Sequence, residues 1–277
     1  MKKIMTLIII TSLIGIIIGP RIDAMESNSI RKDRLETIKE KGVLTVVGPP
    51  EENPFFQINP ETNEISGIDA DIINEVARRL GVNKIDIKEE AFANLLEKFN
   101  TDESIDVAIG GIFISPEREK LVAFTKPLYK ESEVVIVPRF SKINFMSDLK
   151  NAVVGVERGT IFEDLTKKLK EDKLIKDVIT VESITELFNA MKSGKIDAAL
   201  ADSIIISHQL SKEKAPSLRT LIDYTPKLQG VIGMAVKKGD TSLLNAINKI
   251  INDMKADGTL EAILRQNGLD KNSIITN

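Results

Sequence analysis

Arg118 is the residue whose position points most directly to chemistry. It ends the stretch GGIFISPER, in which two glycines after an apolar strand lead into Ser-Pro-Glu-Arg. Ser115 is a good N-cap and Pro116 suits the first helical position, so Arg118 falls in the first turn of a helix. A cation there opposes the helix dipole, whereas a bound carboxylate could accept hydrogen bonds from the guanidinium and from the helix amides. The alternative is a surface arginine paired with Glu117, Glu119 or another acid.

Asp202 is the second candidate. It ends the apolar strand IDAALAD and precedes the helical stretch SIIISHQL. An aspartate at this point can cap the helix, and in a cleft it can accept hydrogen bonds from an ammonium group. If Arg118 and Asp202 face each other across a cleft, they would clamp a zwitterion at both ends.

Three further residues are weaker candidates. Thr160 follows Gly159 at a strand–turn–helix junction, where a hydroxyl and backbone N–H groups bind an anion or simply cap the helix. Phe92 and Phe113 are apolar residues near the predicted cleft, so each is either a ligand contact or part of the core.

Catalytic and metal-binding motifs are absent from the sequence. It contains no GxSxG, HExxH, GxGxxG or P-loop pattern. It has no cysteine and a single histidine, which excludes cysteine nucleophiles and zinc sites built on cysteine or on several histidines. We therefore predict no catalytic residue, no metal and no cofactor.

The elements that must position these residues alternate between β-rich runs and amphipathic helices, which is typical of an α/β fold. A strand is predicted at 43–47, a helix at 69–80 with Asp69 as its N-cap, and a strand at 105–109. A strand at 152–156, a helix from about residue 161 and a strand at 196–200 repeat the theme.

One internal similarity supports two lobes of similar build. Residues 95–111 (LLEKFNTDESIDVAIGG) and 187–202 (LFNAMKSGKIDAALAD) both join an apolar helix face, a polar turn and an Ile-Asp strand. Chance similarity of two generic units is the alternative. Two lobes would enclose a cleft of the kind that binds small ligands. The chain would cross between them near 129–138 and 225–231, which would form a hinge.

The predicted lobes are discontinuous in sequence. Residues 31–131 together with 229–277 form lobe 1, and residues 132–228 form lobe 2.

The first 24 residues have the layout of a secretory signal peptide: two lysines, an apolar run and a short segment that ends at Ala24. An uncleaved membrane anchor is the alternative. Removing residues 1–24 takes away three basic residues and one acidic residue, which moves the formal net charge from −3 to −5. This charge argues against nucleic acid as a partner. Without cysteine the chain is not a lipoprotein, and we expect an exported, periplasmic or extracytoplasmic protein.

Seven motifs then carry a family resemblance because they occur in a characteristic order. They are PFF at 54–56, GIDADI at 67–72, IDVAIGGIFISPERE at 105–119, FTKPLY at 124–129, DLKNAVVGVERGT at 148–160, KSGKIDAALAD at 192–202 and NKIINDMKADGTLEAI at 248–263. From about residue 35 to residue 269 the chain resembles the extracytoplasmic solute-binding proteins of polar amino-acid ABC transporters. The resemblance implies the type II periplasmic binding fold, with two Rossmann-like lobes, a two-strand hinge and a ligand cleft between the lobes. It also implies a monomer that captures an amino acid by hinge closure and delivers it to a membrane permease.

The resemblance also assigns roles to residues. Arg118 would grip the α-carboxylate and Asp202 the α-ammonium group. The carbonyl of Gly110 and the amide of Phe113 would add hydrogen bonds, and the ring of Phe92 would pack on the ligand side chain.

Three departures from the family pattern leave the ligand open. Phe113 stands where the family usually has Thr or Ser, and Ile161 stands where a second Thr or Ser follows Gly159-Thr160; at both positions only the backbone amide remains for the ligand. Glu52 stands where many relatives have a tyrosine that covers the ligand. An enzyme on the same scaffold, such as a cyclohexadienyl dehydratase-like lyase, and a sensory binding protein are the alternative functions.

Overall fold

The computed structural model describes residues 33–275 as a mixed α/β protein with two main sheets. Helices α1–α9 span Arg34–Lys41, Ile68–Leu80, Leu95–Thr101, Pro116–Glu119, Ile161–Glu171, Ile184–Lys192, Ser203–Lys212, Thr241–Ala256 and Thr259–Gln266. Strands β1–β14 span Val43–Gly48, Glu51–Glu52, Phe56–Ile58, Ile65–Ser66, Lys84–Glu89, Val107–Ala108, Ala123–Phe124, Tyr129–Pro138, Val153–Glu157, Asp177–Val181, Ala198–Asp202, Leu218–Thr220, Gln229–Ile232 and Ala235–Val236. Within the described residues, no helix has both the length and the apolar character that crossing a bilayer requires. The predicted signal peptide, 1–24, lies outside the described residues.

The first sheet has the strand order β5-β1-β6-β14-β7. Strand β1 runs parallel to both β5 and β6, so the carboxyl ends of β1 and β6 lie at the same edge. Ligands of open α/β sheets bind beyond that edge. The loop that holds Gly110 and Phe113 follows β6 there, and the segment that holds Glu52 follows β1 and pairs as β2 with β3.

The second sheet has the strand order β10-β9-β11-β8-β12. Strand β9 runs parallel to β10 and to β11. Glu157 is the last residue of β9 and Asp202 the last residue of β11, so both carboxylates stand at the carboxyl edge of this sheet. Each sheet therefore presents its loops and polar groups at the edge where an α/β fold builds its site.

Strand β8 connects the two lobes. Its first residues pair antiparallel with β13, from Tyr129 opposite Ile232 to Ser132 opposite Gln229, and its later residues pair with β11 and β12 in the second sheet. These two paired strands lie where the sequence predicts the crossings. We retain 31–131 with 229–277, and 132–228, as the proposed lobe boundaries.

Buried Glu133 fixes the second crossing to β8. Its carboxylate accepts hydrogen bonds from the Tyr224 hydroxyl (2.5 Å), the Lys227 amide (2.5 Å) and the Leu228 amide (3.0 Å). The hinge is thus held by side-chain contacts as well as by the strand ladder.

Two sequence predictions need correction. The predicted strand 105–109 is reduced to Val107–Ala108, although the amides of Asp106 and Ile109 still donate to carbonyls of β1. The predicted N-cap role of Asp69 is wrong: helix α2 begins at Ile68, and the side chain of Asp69 makes no cap hydrogen bond. Because that carboxylate is only 2% exposed, its partners lie inside the protein.

Candidate functional site

One small cavity gathers the predicted site residues. Its volume is about 280 Å³. The cavity is lined by Glu52, Phe55, Phe92, Gly110, Gly111, Phe113, Arg118, Glu157, Thr160, Ile161, Phe162 and Asp202. All eight residues that the sequence singles out are among them, and Phe55, Gly111, Glu157 and Phe162 are the four that it missed. The site is therefore narrow in this conformation and drawn from both lobes.

Arg118 links the two lobes across the cavity. Its Nη1 donates to the Phe113 carbonyl (3.0 Å) and its Nη2 donates to the Gly159 carbonyl (3.0 Å). The guanidinium also lies 5.5 Å from the centre of the Phe92 ring, in cation–π contact. Among residues 33–275, Arg118 forms no ion pair with any acid, so the surface-pair alternative for Arg118 does not describe this structure.

The local turn that positions Arg118 forms as predicted. The Ser115 hydroxyl oxygen accepts a hydrogen bond from the Arg118 amide (3.3 Å), and Pro116 occupies the first helical position of α4. Helix α4 has only four residues, so its dipole is small and the guanidinium is the main anion-binding group. Burial lowers the pKa of Arg118 to about 10, partly offset by the charge of Asp202, and the side chain stays cationic at neutral pH.

Buried Asp69 holds the glycine loop at the base of the cavity. One carboxylate oxygen accepts hydrogen bonds from the amides of Gly110 (2.9 Å) and Gly111 (2.8 Å), and the other accepts from the Tyr129 hydroxyl (2.9 Å). Gly110 and Gly111 both have positive φ, 120° and 70°, a conformation that glycine adopts at little steric cost. Asp69 therefore supports the site instead of capping α2.

The carboxyl group of Asp202 is available to a ligand in the cavity because another acid, Glu131, caps helix α7. Asp202 makes no side-chain hydrogen bond to α7. Glu131 of β8 caps α7 instead: its carboxylate accepts hydrogen bonds from the Ser203 amide (2.9 Å), the Ser203 hydroxyl (2.5 Å) and the Ile204 amide (3.3 Å). Asp202 is 8% exposed, and burial, together with the negative charges of Glu131 and Glu52, raises its pKa. A nearby cation would favour its charged form.

Two phenylalanines in the cavity lining contact each other, and one of them, Phe113, stands where the family resemblance implies a hydroxyl group. The rings of Phe113 and Phe162 meet edge to face with 5.6 Å between centroids, and both are almost fully buried. The Thr160 hydroxyl donates to the Glu157 carbonyl (2.8 Å) and so fixes the turn before α5. Ile161, the first residue of α5, lines the cavity beside Thr160.

Glu52 and Glu157 form a carboxyl pair in the cavity lining. The two side chains are hydrogen-bonded to each other, and they are 6% and 4% exposed. Burial raises the pKa of Glu52 to about 7. Burial also raises the pKa of Glu157, and the charge of Glu52 adds to that effect. One oxygen of Glu157, Oε1, is buried without a hydrogen-bond partner.

Glu157 was missed although a signal exists in the sequence. It directly follows the predicted apolar strand 152–156 and begins the glycine turn ERGT, which is a typical position for a site residue in an α/β sheet. Phe55 and Phe162 carry no such signal, since their place in the cavity depends on how the two lobes pack. Within residues 33–275, no group of three or more His, Cys, Asp or Glu side chains is placed to hold a metal ion.

The buried carboxyls predict that the ligand-free protein loses stability as the pH rises. In the unfolded chain Glu52 releases its proton near pH 4.5, whereas in the folded protein it holds the proton to about pH 7. Between these values the folded state binds more protons, so the free energy of unfolding falls with pH, by up to about 3 kcal/mol for this group. Carboxyl groups with a lowered pKa, such as Glu75, change the free energy of unfolding only below about pH 4.5.

Urea denaturation at pH 5 and pH 8 measures this effect. We expect Glu52→Gln to flatten the pH dependence, because glutamine mimics the protonated acid. A wild-type protein that is more stable at pH 8 than at pH 5 would contradict the prediction.

Comparison with known proteins gives the family. Residues 44–269 match the family described as bacterial extracellular solute-binding proteins, family 3, and the chain belongs to that family. The fold is that of the two-lobed type II periplasmic amino-acid-binding proteins.

Two sequence relatives and one solved structure illustrate the similarity. The chain is 28% identical over 214 residues to ABC transporter arginine-binding protein 1 of Escherichia coli (strain K12), which covers 77% of this chain and 86% of that protein. It is 28% identical over 276 residues to ABC transporter glutamine-binding protein GlnH of Bacillus subtilis (strain 168), which covers 96% of this chain and 97% of that protein. A mutant of ArgBP from T. maritima superposes with a TM-score of 0.74 at 30% identity, over 84% of this chain and 97% of that one.

Proposed function

We propose that this protein binds an amino acid as a zwitterion in the cavity between its lobes and delivers it to an ABC permease. One observation carries the proposal: one cavity is lined by the guanidinium of Arg118, which forms no ion pair within the described residues, and by the carboxyl group of Asp202, which does not cap its helix. Membership of a family of amino-acid-binding proteins supports it. The proposed location is extracytoplasmic, after cleavage of the signal peptide at residues 1–24.

The geometry explains how capture would favour closure. Arg118 lies in α4, which comes after strand β6 of the first sheet, and Asp202 is the last residue of β11 in the second sheet. A ligand held by both side chains therefore binds the two lobes at once. The ligand's α-carboxylate would compete with the carbonyls of Phe113 and Gly159 for the guanidinium. Charge-assisted hydrogen bonds are roughly twice as strong as neutral ones. A ligand with differential affinity for the closed form shifts the hinge toward closure.

A lyase on the same scaffold is the second candidate, and one observation favours it. Glu157 is a buried carboxyl with a raised pKa inside the cavity, which is the environment of a general acid. We favour binding because Asp202 remains available for an ammonium group. Incubation with prephenate or arogenate decides between the two, since aromatic product formed at enzymatic rates would establish the lyase.

Calorimetric titration with the twenty L-amino acids tests the proposed binding function. We expect at least one to bind. Its analogues that lack the α-ammonium or the α-carboxylate should bind at least about 30-fold more weakly, because each leaves a buried charge unpaired. Binding of an α-keto acid as tight as that of its amino acid would contradict the zwitterion clamp. Uptake of the radiolabelled ligand by cells with and without the protein tests delivery to a permease.

A further inference from the structure

The charges around the cavity do not balance for a neutral amino acid. Arg118 is the only basic residue among the twelve lining residues of the described chain, and Glu52, Glu157 and Asp202 are acidic. A zwitterion would match Arg118 with its carboxylate and Asp202 with its ammonium group. This pairing rests on the proposed function and leaves Glu52 and Glu157 without a cationic partner.

The two remaining acids are built into the site from opposite lobes. Glu52 belongs to β2, in the small sheet β2-β3-β4 beyond the first sheet's edge, and Glu157 ends β9 in the second sheet. Both are more than nine-tenths buried, so neither is a solvated surface charge. No lysine or arginine within the described residues forms an ion pair with either of them.

An unused hydrogen-bond acceptor points to a missing donor. Glu157 lines the cavity, and its Oε1 is buried without a partner. An unsatisfied buried acceptor costs about 1–3 kcal/mol, more for a charged group. A ligand group with several N–H donors and a positive charge would satisfy this oxygen and separate the two carboxylates.

We propose that Glu52 and Glu157 form a cation subsite, and that the preferred ligand is an α-amino acid with a guanidinium or ammonium group on its side chain. A guanidinium offers five N–H donors in a planar fork that matches carboxylate geometry. With such a ligand the α-carboxylate pairs with Arg118, the α-ammonium group pairs with Asp202, and the side-chain cation pairs with the Glu52–Glu157 pair. The charges balance when one carboxyl of that pair keeps its proton.

Matched ligands separate this subsite from the zwitterion clamp. L-Arginine carries a guanidinium group where L-citrulline carries a neutral urea group. L-Lysine carries an ammonium group where L-norleucine ends in an uncharged alkyl chain. We expect the wild-type protein to bind arginine or lysine at least about 30-fold more tightly than its neutral counterpart in calorimetric titration at pH 7.5.

Two substitutions test whether this pair of acids is responsible. Glu157→Gln and Glu52→Gln keep the shape of the side chain and remove the charge, and each should reduce the preference for the cationic ligand at least about tenfold. Glu61→Gln is the control, because it removes the same charge from an exposed loop of the lobe that holds Glu52. Thermal unfolding followed by circular dichroism shows that each variant is folded.

The pH dependence gives a readout that a purely structural role would not produce. The negative charge of Glu51 acts on Glu52 and that of Asp202 acts on Glu157, and both favour the protonated form of the pair. The charge of Arg118 acts on Asp202. A cationic ligand should therefore displace a proton on binding, and its affinity should rise as the pH increases from 6 to 8. Titration in buffers of different ionisation enthalpy counts the released protons.

The possible outcomes are distinct. Equal affinity for citrulline and arginine and for norleucine and lysine, or a preference that survives in both glutamine variants, would overturn the cation subsite and leave the proposed function intact. If agmatine, which lacks the carboxylate, binds as tightly as arginine, the subsite stands and the zwitterion clamp fails. Absence of binding by every amino acid and by agmatine would overturn both.

Discussion

Arg118→Ala should weaken binding of the best amino-acid ligand at least about 100-fold, or about 3 kcal/mol. The guanidinium is the only cation among the described residues that line the cavity. Without it the α-carboxylate would be buried with no partner of opposite charge, which is unfavourable in a site closed to water. The variant also loses the contacts with the carbonyls of Phe113 and Gly159 that join the lobes.

A matched control comes from Arg158. It lies on the turn beside the cavity, but its side chain is exposed and pairs with Glu182 at the surface. We expect Arg158→Ala to change the ligand affinity by less than about threefold, because exposed ion pairs contribute little. Isothermal titration of both variants makes the comparison. Wild-type affinity in a folded Arg118→Ala protein would contradict the clamp.

Asp69→Ala should lower the free energy of unfolding by about 3–5 kcal/mol. The substitution leaves three buried donors without their acceptor, namely the amides of Gly110 and Gly111 and the hydroxyl of Tyr129. Each unsatisfied buried group costs about 1–3 kcal/mol, and the deleted carboxylate also leaves a void. Ligand affinity should fall as well, because the glycine loop loses its support.

Tyr129→Phe provides the graded comparison, since it removes only one of the three hydrogen bonds. We expect a loss of about 1–2 kcal/mol for this variant. Chemical denaturation of the ligand-free proteins measures both effects. If Asp69→Ala unfolds within about 1 kcal/mol of the wild type, Asp69 does not hold the loop.

The turn that carries Arg118 could be predicted from sequence because its causes are local. Ser115 and Pro116 fix the start of a helix through hydrogen bonding and φ restriction within four residues, and the structure shows that turn. The same is true of the strand–turn–helix junction at Thr160, where a glycine with φ of 78° precedes the helix.

The role of Asp69 could not be predicted because its partners are remote in sequence. An aspartate at the start of an apolar helix resembles an N-cap, and local rules favour that interpretation. Its hydrogen bonds reach residues 41, 42 and 60 positions away, so they depend on the packing of β6 and β8 around α2. Asp202 shows the reverse case: a distant acid, Glu131, caps its helix and leaves it available to the cavity.

The contact between Glu52 and Glu157 could not be predicted from sequence for a related reason. Glu52 and Glu157 are 105 positions apart, and only the approach of the two lobes brings their side chains into contact. Either acid taken alone is most simply a surface residue, since glutamate is rarely buried without a partner. Burial of both in one cavity adds Glu157 to the candidates for ligand recognition and pairs it with Glu52, which the family resemblance already places at the site.

A crystal structure of the protein with its best amino-acid ligand tests the central claim most directly. We predict that the α-carboxylate is hydrogen-bonded to the Arg118 guanidinium and the α-ammonium group to Asp202, each at about 2.7–3.1 Å. A bound amino acid whose α-groups contact neither side chain, or a ligand in the cavity without an α-amino carboxylate, would contradict the account.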